Sequence, residues 1–308
     1  MSALALTACV TGPGSLPEDP RHELSSVAFF PQDTHQCGPA ALATLLVSTD
    51  VDIRPEQLVP EVYIPARRGS LQVEILAAAR RHGRIPWQLP PDFTALRAEL
   101  AAGNPVLVLQ DLGALGIRRW HYAVVIGHEP EREVLVLRSG TERRHLEREE
   151  YFLHSWQASD NWAITLTPPG RIPATATAAG YARAIADSEG QQPAADIDAS
   201  YAAALHRWPD DPLLLFASAN RDHAAGRLAA AQTGYHRLLE LQPDHLAAHN
   251  NLANVLIDRG CVTGAQEHAR RALELAEREP ALATAVRDTV QRAGQMSVGP
   301  ANAAADCD

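Results

Sequence analysis

Hydrophobic and polar positions fall into two regimes that meet near residue 170. From 26 to 167, helical and alternating patterns are mixed. Residues 40–47 form an apolar helical run, and residues 71–82 carry Leu71, Ile75, Leu76 and Ala79 at helical spacing. Residues 93–102 predict a further helix, stopped by Gly103-Asn104-Pro105. Four β-rich runs follow at 106–109, 122–126, 134–137 and 162–166, joined by short connections with Gly or Pro, which predicts an antiparallel sheet. Helices first and strands later give an α+β domain with the helices packed to one side of the sheet.

Residues 168–196 are rich in Pro, Ala and Gly and read as a linker with some helix around 176–188. From 197 to 290 the pattern is purely helical and repeats. Leu205, Leu239 and Leu273 are 34 apart, as are Pro209 and Pro243, Ala219 and Ala253, Asn220 and Asn254, Gly226 and Gly260, and Ala231 and Ala265. A period of 34 is that of the tetratricopeptide repeat, and this region resembles that family. Small Ala219 and Ala253 allow close helix crossing, and the two glycines mark turns. Such repeats are docking surfaces for a protein partner. Two are few for an independent array, so these are expected to lean on the first domain or on a partner. Residues 291–308 read as a disordered tail.

Charge narrows the function. The chain has 308 residues, a net charge of -10, and 27 basic residues that are all Arg. Without a concentrated basic face it is not expected to bind nucleic acid. Without lysine, Schiff-base chemistry and a phosphate-loop lysine are excluded. The four cysteines, Cys9, Cys37, Cys261 and Cys307, form no C-x-x-C pair, and no H-E-x-x-H occurs. Neither a metal, a cofactor nor a dense disulfide framework is expected. Cys261, just after a repeat turn, is expected to be structural. No apolar run is long enough to span a membrane.

The chemistry concentrates at Cys37. Cys37-Gly38-Pro39 opens an apolar helix, where free N–H groups and the helix dipole favour the thiolate and lower the thiol pKa. Gln32, five residues upstream, offers an amide for an oxyanion. A thiolate needs a base, and His121 has the best context of the 13 histidines, at the start of the buried run 122–126. Asp111, across an expected hairpin, is a candidate to orient its imidazole. Arg67, Arg68, Arg143 and Arg144 read as a wetted face, and His128 as solvated in a turn.

Gln32 with Cys37-Gly38-Pro39-Ala40-Ala41-Leu42, followed by the segment from His121 to Gly127, resembles the peptidase C39-like family of papain-like cysteine peptidases over residues 26–167. The resemblance implies a papain-like domain with Cys37 as nucleophile, His121 as base and Gln32 in the oxyanion hole. It further implies an Asp or Asn after the His strand to orient the imidazole, where this chain has Ser139-Gly140, which makes Ser139 the second candidate beside Asp111. The Gln-to-Cys spacing is also one residue shorter than the family's. With the repeats, the chain resembles bacterial C39-like lipoproteins. No Walker motif or membrane domain accompanies it, so the leader-clipping exporter role of one branch of the family is not expected to carry over whole.

Residues 1–9 end in Leu6-Thr7-Ala8-Cys9, similar to a lipoprotein signal with Cys9 as the lipidated residue, although the apolar part is short and no Arg precedes it. Residues 10–25 then form a tether. The expected protein is lipid-anchored in the bacterial envelope, touches the membrane through that anchor only, and cleaves a peptide bond. The alternatives are an inactive peptidase-like scaffold that binds peptides, a cell-wall amidase, and acyl transfer through the same acyl-enzyme.

Overall fold

The structure, a computed structural model, describes residues 22–32, 36–277, 280–296 and 307. Cys9, the expected signal and most of the expected tether lie outside the described residues. So do His35 and most of the expected tail.

Nine strands are present among the described residues: β1 (His22–Glu23), β2 (Tyr63–Ile64), β3 (Gly69–Ser70), β4 (Ile85–Gln88), β5 (Val106–Asp111), β6 (Trp120–Glu129), β7 (Val134–Ser139), β8 (Glu142–Arg148) and β9 (Ala163–Thr167). Seven form one antiparallel sheet in the order β4-β9-β5-β6-β7-β8, with β1 pairing on β6, while β2 and β3 form a separate small hairpin. β1 falls within the expected tether. It is fixed in place by the buried guanidinium of Arg138, which donates to the carbonyls of Ser25 and Val27.

The helices of this half are α1 (Cys37–Val47), α2 (Pro55–Val62), α3 (Gln72–Arg81), α4 (Phe93–Ala101) and α5 (Glu149–Gln157). They cover both faces of the sheet, not one as the sequence suggested. Leu107, Tyr122, Val124, Ile126 and Ile164 share a cluster with Leu42, Leu45 and Leu46 of α1 and Ile75 of α3. Alternating with them, Val106, Val108, Ala123, Val125 and Ala163 share a cluster with Leu96 of α4 and Phe152 and Trp156 of α5. Strand alternation splits one run of apolar residues into two cores. α1 is apolar all round because the sheet, α2 and α3 enclose it; residues 38–46 are all buried.

The expected linker is a packed element. α6 (Ala178–Ala186) and α7 (Ala194–Arg207) bury Tyr181, Ile185, Ile197 and Tyr201 in the α4/α5 cluster. Gly180 makes this possible: a Cβ there would lie 2.6 Å from Trp87. The turn ahead of α6 is held by the buried carboxylate of Glu99. It accepts from the backbone of Ala174 and Thr175, the Thr175 hydroxyl and Asn104 Nδ2, at 2.6 to 3.2 Å. The sequence reading weighed the Pro/Ala/Gly content of this stretch over its helical apolar spacing.

Beyond it come α8 (Pro212–Ala224), α9 (Leu228–Leu241), α10 (Leu246–Arg259), α11 (Val262–Ala276) and α12 (Ala283–Gln295). The helix starts repeat at 34 residues, from 212 to 246 and from 228 to 262. Gly226 and Gly260 take φ of 73° and 79° at the turns, and the Cα of Gly234 faces Ala219, where a Cβ would come within 3.0 Å of the alanine methyl. Leu214 of α8 belongs to the cluster under the sheet, so the helical region does lean on the first domain.

Two features of this region depart from expectation. Residues 291–295 complete α12, and Cys307 is bonded to Cys261, so neither belongs to a disordered tail. With a sequence separation of 46, the bridge is worth about 4 kcal/mol by chain entropy. Reduction under native conditions is expected to lower the melting temperature, and Cys307→Ser to reproduce that loss without reductant; calorimetry checks both.

His249 and His268 face each other with their Nδ1 atoms 2.9 Å apart. His249 Nε2 lies 2.9 Å from the Pro243 carbonyl and must donate to it, so His268 donates to His249 Nδ1. Burial, with His249 and His236 beside it, holds His268 down to about 4. The unfolded chain therefore takes up the proton first, near 6.5. This pair's contribution is complete above pH 6.5 and is lost as pH falls toward 4. Thermal melts across that window are expected to show a stability slope that flattens in His268→Gln.

Candidate active site

The site is built where β6 loses a partner. β6 pairs with β5 over its whole first half, from Trp120↔Asp111 to Val125↔Val106, but with β7 only from Val124 to Glu129. Over residues 120–123 the β7 side of the strand is open. The start of α1 packs there: the backbone N–H groups of Tyr122, Gly38 and Cys37 lie near enough to the Cys37 sulfur to favour its thiolate. Gln32 reaches the same residue, donating from Nε2 to the Tyr122 carbonyl at 3.5 Å, and its own N–H donates to Gly140 O at 3.0 Å. Cys37 is the free cysteine among the described residues.

α1 can start here because Gln36 caps it without a side-chain hydrogen bond, leaving first-turn N–H groups for the sulfur. Cys37 itself is the first helical residue. Pro39 lies two positions later, in the first turn, where a missing N–H breaks no helical bond. Gly38 is obligatory: a Cβ would fall 2.2 Å from Ser70 Oγ of β3.

His121 stands at the second residue of β6, and its Nε2 lies 2.9 Å from Ser139 Oγ. Of the two candidates for orienting it, Ser139 is the one in contact. Asp111 is not. It pairs in register with Trp120, and its carboxylate accepts from the N–H of Gly113 and Arg119 and faces Arg118. Those amides hold its carboxyl below the usual range, so Asp111 closes its own hairpin.

The arrangement also departs from the expected ion pair. No hydrogen bond or ion pair joins Cys37 to His121. Burial raises the Cys37 thiol above its ordinary value, outweighing the three amides that favour the thiolate. Burial, then the Arg119 and His145 charges, press His121 down to about 4. At neutral pH the two groups rest as thiol and neutral imidazole. Gln32 Oε1 is buried with no partner, which marks the amide as only partly engaged.

Three neighbours escaped the sequence reading. Gln110, in register with His121, donates to Glu147 Oε2 at 3.0 Å and to Ser155 Oγ at 2.8 Å. Burial raises the Glu147 carboxyl. Glu147 was hidden in the charged run of β8; its one signal is the alternation with buried positions that pairing to Leu135 imposes. His128, expected in solvent, is buried within β6 and paired with Glu149 at 2.9 Å. Arg144 of the expected wetted face is partly exposed but bridges Glu23 and Glu129.

Among the described residues no cluster of side chains suits a metal ion. No protein-family model matches this chain. No curated protein matches it either. Among solved structures it is similar to a Bacillus anthracis protein described as a C39-like peptidase, at 16% identity over 48% of this chain and 97% of that one, with a TM-score of 0.40. It is also similar to the peptidase domain of Streptococcus ComA, a bi-functional ABC transporter involved in a quorum-sensing pathway. That match has 21% identity over 46% and 98% of the two chains and a TM-score of 0.38.

The resting state is directly measurable. Iodoacetamide labelling of Cys37 against pH is expected to rise with an inflexion above that of an ordinary thiol, whose value is 9.0. An inflexion near pH 5–6, typical of a thiolate–imidazolium pair, would contradict the geometry.

Proposed function

We propose that the chain is a thiol peptidase whose first domain is papain-like and C39-like. The observation that carries this reading is the position of the Cys37 sulfur. It lies at the start of α1, on backbone N–H groups, against the peptide that follows His121. Ser139 occupies Nε2 of that imidazole and leaves Nδ1 to serve as the base.

In this reading Cys37 Sγ attacks the scissile carbonyl carbon while its proton passes to His121 Nδ1. The N–H of Cys37 and the Gln32 amide receive the oxyanion. The C–N bond breaks as the imidazolium returns the proton to the leaving amine. Water, deprotonated by the same imidazole, then hydrolyses the thioester and frees the thiol. Helices α7 to α12, read as tetratricopeptide repeats, dock the substrate protein or a partner. Export to the envelope, with lipidation at Cys9, completes the proposal. The Cys261–Cys307 bridge supports it, because such bonds persist in oxidising compartments.

A second reading, an inactive peptide-binding scaffold, is favoured by the missing Cys37–His121 hydrogen bond and the raised thiol. Peptide-library turnover separates the two. An active enzyme is expected to lose at least about a thousandfold in kcat/KM in Cys37→Ala and in His121→Ala. Its pH profile should show an acid limb near 4, where His121 gains its proton. No turnover by the wild type would leave the scaffold, and turnover unchanged in Cys37→Ala would remove Cys37 from the chemistry.

A further inference from the structure

The connection from β5 to β6 ends in a tip that breaks two rules at once. Leu115 is fully exposed, at 102%, and Ile117 is 76% exposed. Leu115 also holds φ of 54°, followed by Gly116 at 81°. The turn from Ala114 to Ile117 therefore has two left-handed central residues, closed by Ile117 N–H to Ala114 O at 3.0 Å. Asn or Gly fits the first of those positions with little strain. A leucine there is strained and presents its whole side chain to water. Strain of this kind persists where it serves a function.

The arms below the tip are pressed together. A Cβ on Gly113 would fall 1.9 Å from Ile117 O, so the hairpin narrows to a blade. At its foot Trp120 is 45% exposed, with the Arg118 guanidinium 5.3 Å over its ring. Arg118 pairs loosely with Asp111 at 3.5 Å, and Arg119 is exposed beside it.

We propose that this blade contacts a lipid bilayer. Leu115 and Ile117 enter the acyl region, Trp120 sits at headgroup depth, and Arg118 and Arg119 meet anionic phosphates. Shape decides the occupant. A convex apolar tip offers no groove to a peptide, whereas fluid acyl chains close around a protrusion. The two arginines flanking the apolar residues match anionic headgroups. The contact is independent of any lipid at Cys9 and of the chemistry assigned to Cys37. Because His121 follows Trp120 directly, it would hold the candidate active site close to the membrane surface.

The test uses the full chain carrying Cys9→Ser, so that no acyl group contributes, floated with vesicles of phosphatidylcholine containing phosphatidylglycerol. The chain is expected to co-float, and less so on phosphatidylcholine alone or in high salt. The double variant Leu115→Glu/Ile117→Glu should partition about tenfold more weakly or worse, with its melting temperature retained. Leu115→Gly should melt higher, as strain is relieved, yet float less. Failure of the wild type to float, or equal flotation of the double variant, would overturn the proposal. So would a double variant that loses peptide affinity while the wild type ignores vesicles, which would make the blade a substrate contact.

Discussion

The candidate site depends on two backbone groups of one residue. Where β7 leaves β6, the N–H and C=O of Tyr122 face a gap that no strand fills. Buried backbone groups must find partners, and here they find the Cys37 sulfur and the Gln32 amide. The same N–H that would otherwise be an orphan of the sheet lies beside the sulfur at the start of α1 and favours its thiolate. The Tyr122 side chain points into the α1 cluster and its hydroxyl reaches Ser70 O at 3.3 Å, so this one residue also ties β3 to the site. A truncated β7 is therefore a structural requirement of the site, and Ser139, the last residue of that strand, is placed by it against His121.

The second constraint is continuity of the core. The α4/α5 face of the sheet would be open to water without α6 and α7, and Trp87 in particular needs Gly180 over it. Glu99 fixes the approach of the chain to that face through four hydrogen bonds inside the protein, an arrangement that removal of any one partner would leave partly unsatisfied. Helical hairpins stack by their neighbours, and the first of them borrows a neighbour from the sheet domain through Leu214. The orientation of the helical region relative to the sheet is thereby set by burial, not by a free linker.

What could be read from sequence, and what could not, follows the same physics. α1, α3 and α4 carry apolar residues at helical spacing and were legible to within a few residues, as were the central strands β5, β6, β7 and β9. β8 reads ERRHLER and β4 holds Pro86, since edge strands need no apolar alternation and tolerate proline. Neither was visible. The 34-residue spacing was legible because turn glycines and crossing alanines recur with it. The choice between Asp111 and Ser139 needed register: Asp111 is in the sheet opposite Trp120, and local amides claim its oxygens before His121 can. The Cys261–Cys307 bond joins residues 46 apart, beyond any local pattern.

The thiol illustrates the limit most clearly. A helix start is visible in Cys-Gly-Pro, and three amides do point at the sulfur, yet burial outweighs them. With the thiol raised by burial and His121 held at about 4, the two groups rest as thiol and neutral imidazole. Nothing in this resting geometry favours a standing thiolate–imidazolium pair. In the proposed reaction, proton transfer would accompany bond formation, as negative charge passes from the sulfur to a carbonyl oxygen beside the Cys37 N–H. The buried, unpartnered Gln32 Oε1 fits the same picture, because an amide committed to a carbonyl at only 3.5 Å is free to turn its N–H groups toward an arriving oxyanion. If the proposed peptidase reading holds, substrate switches the site on, and the neutral resting thiol, the free one among the described residues, is less open to oxidation until then.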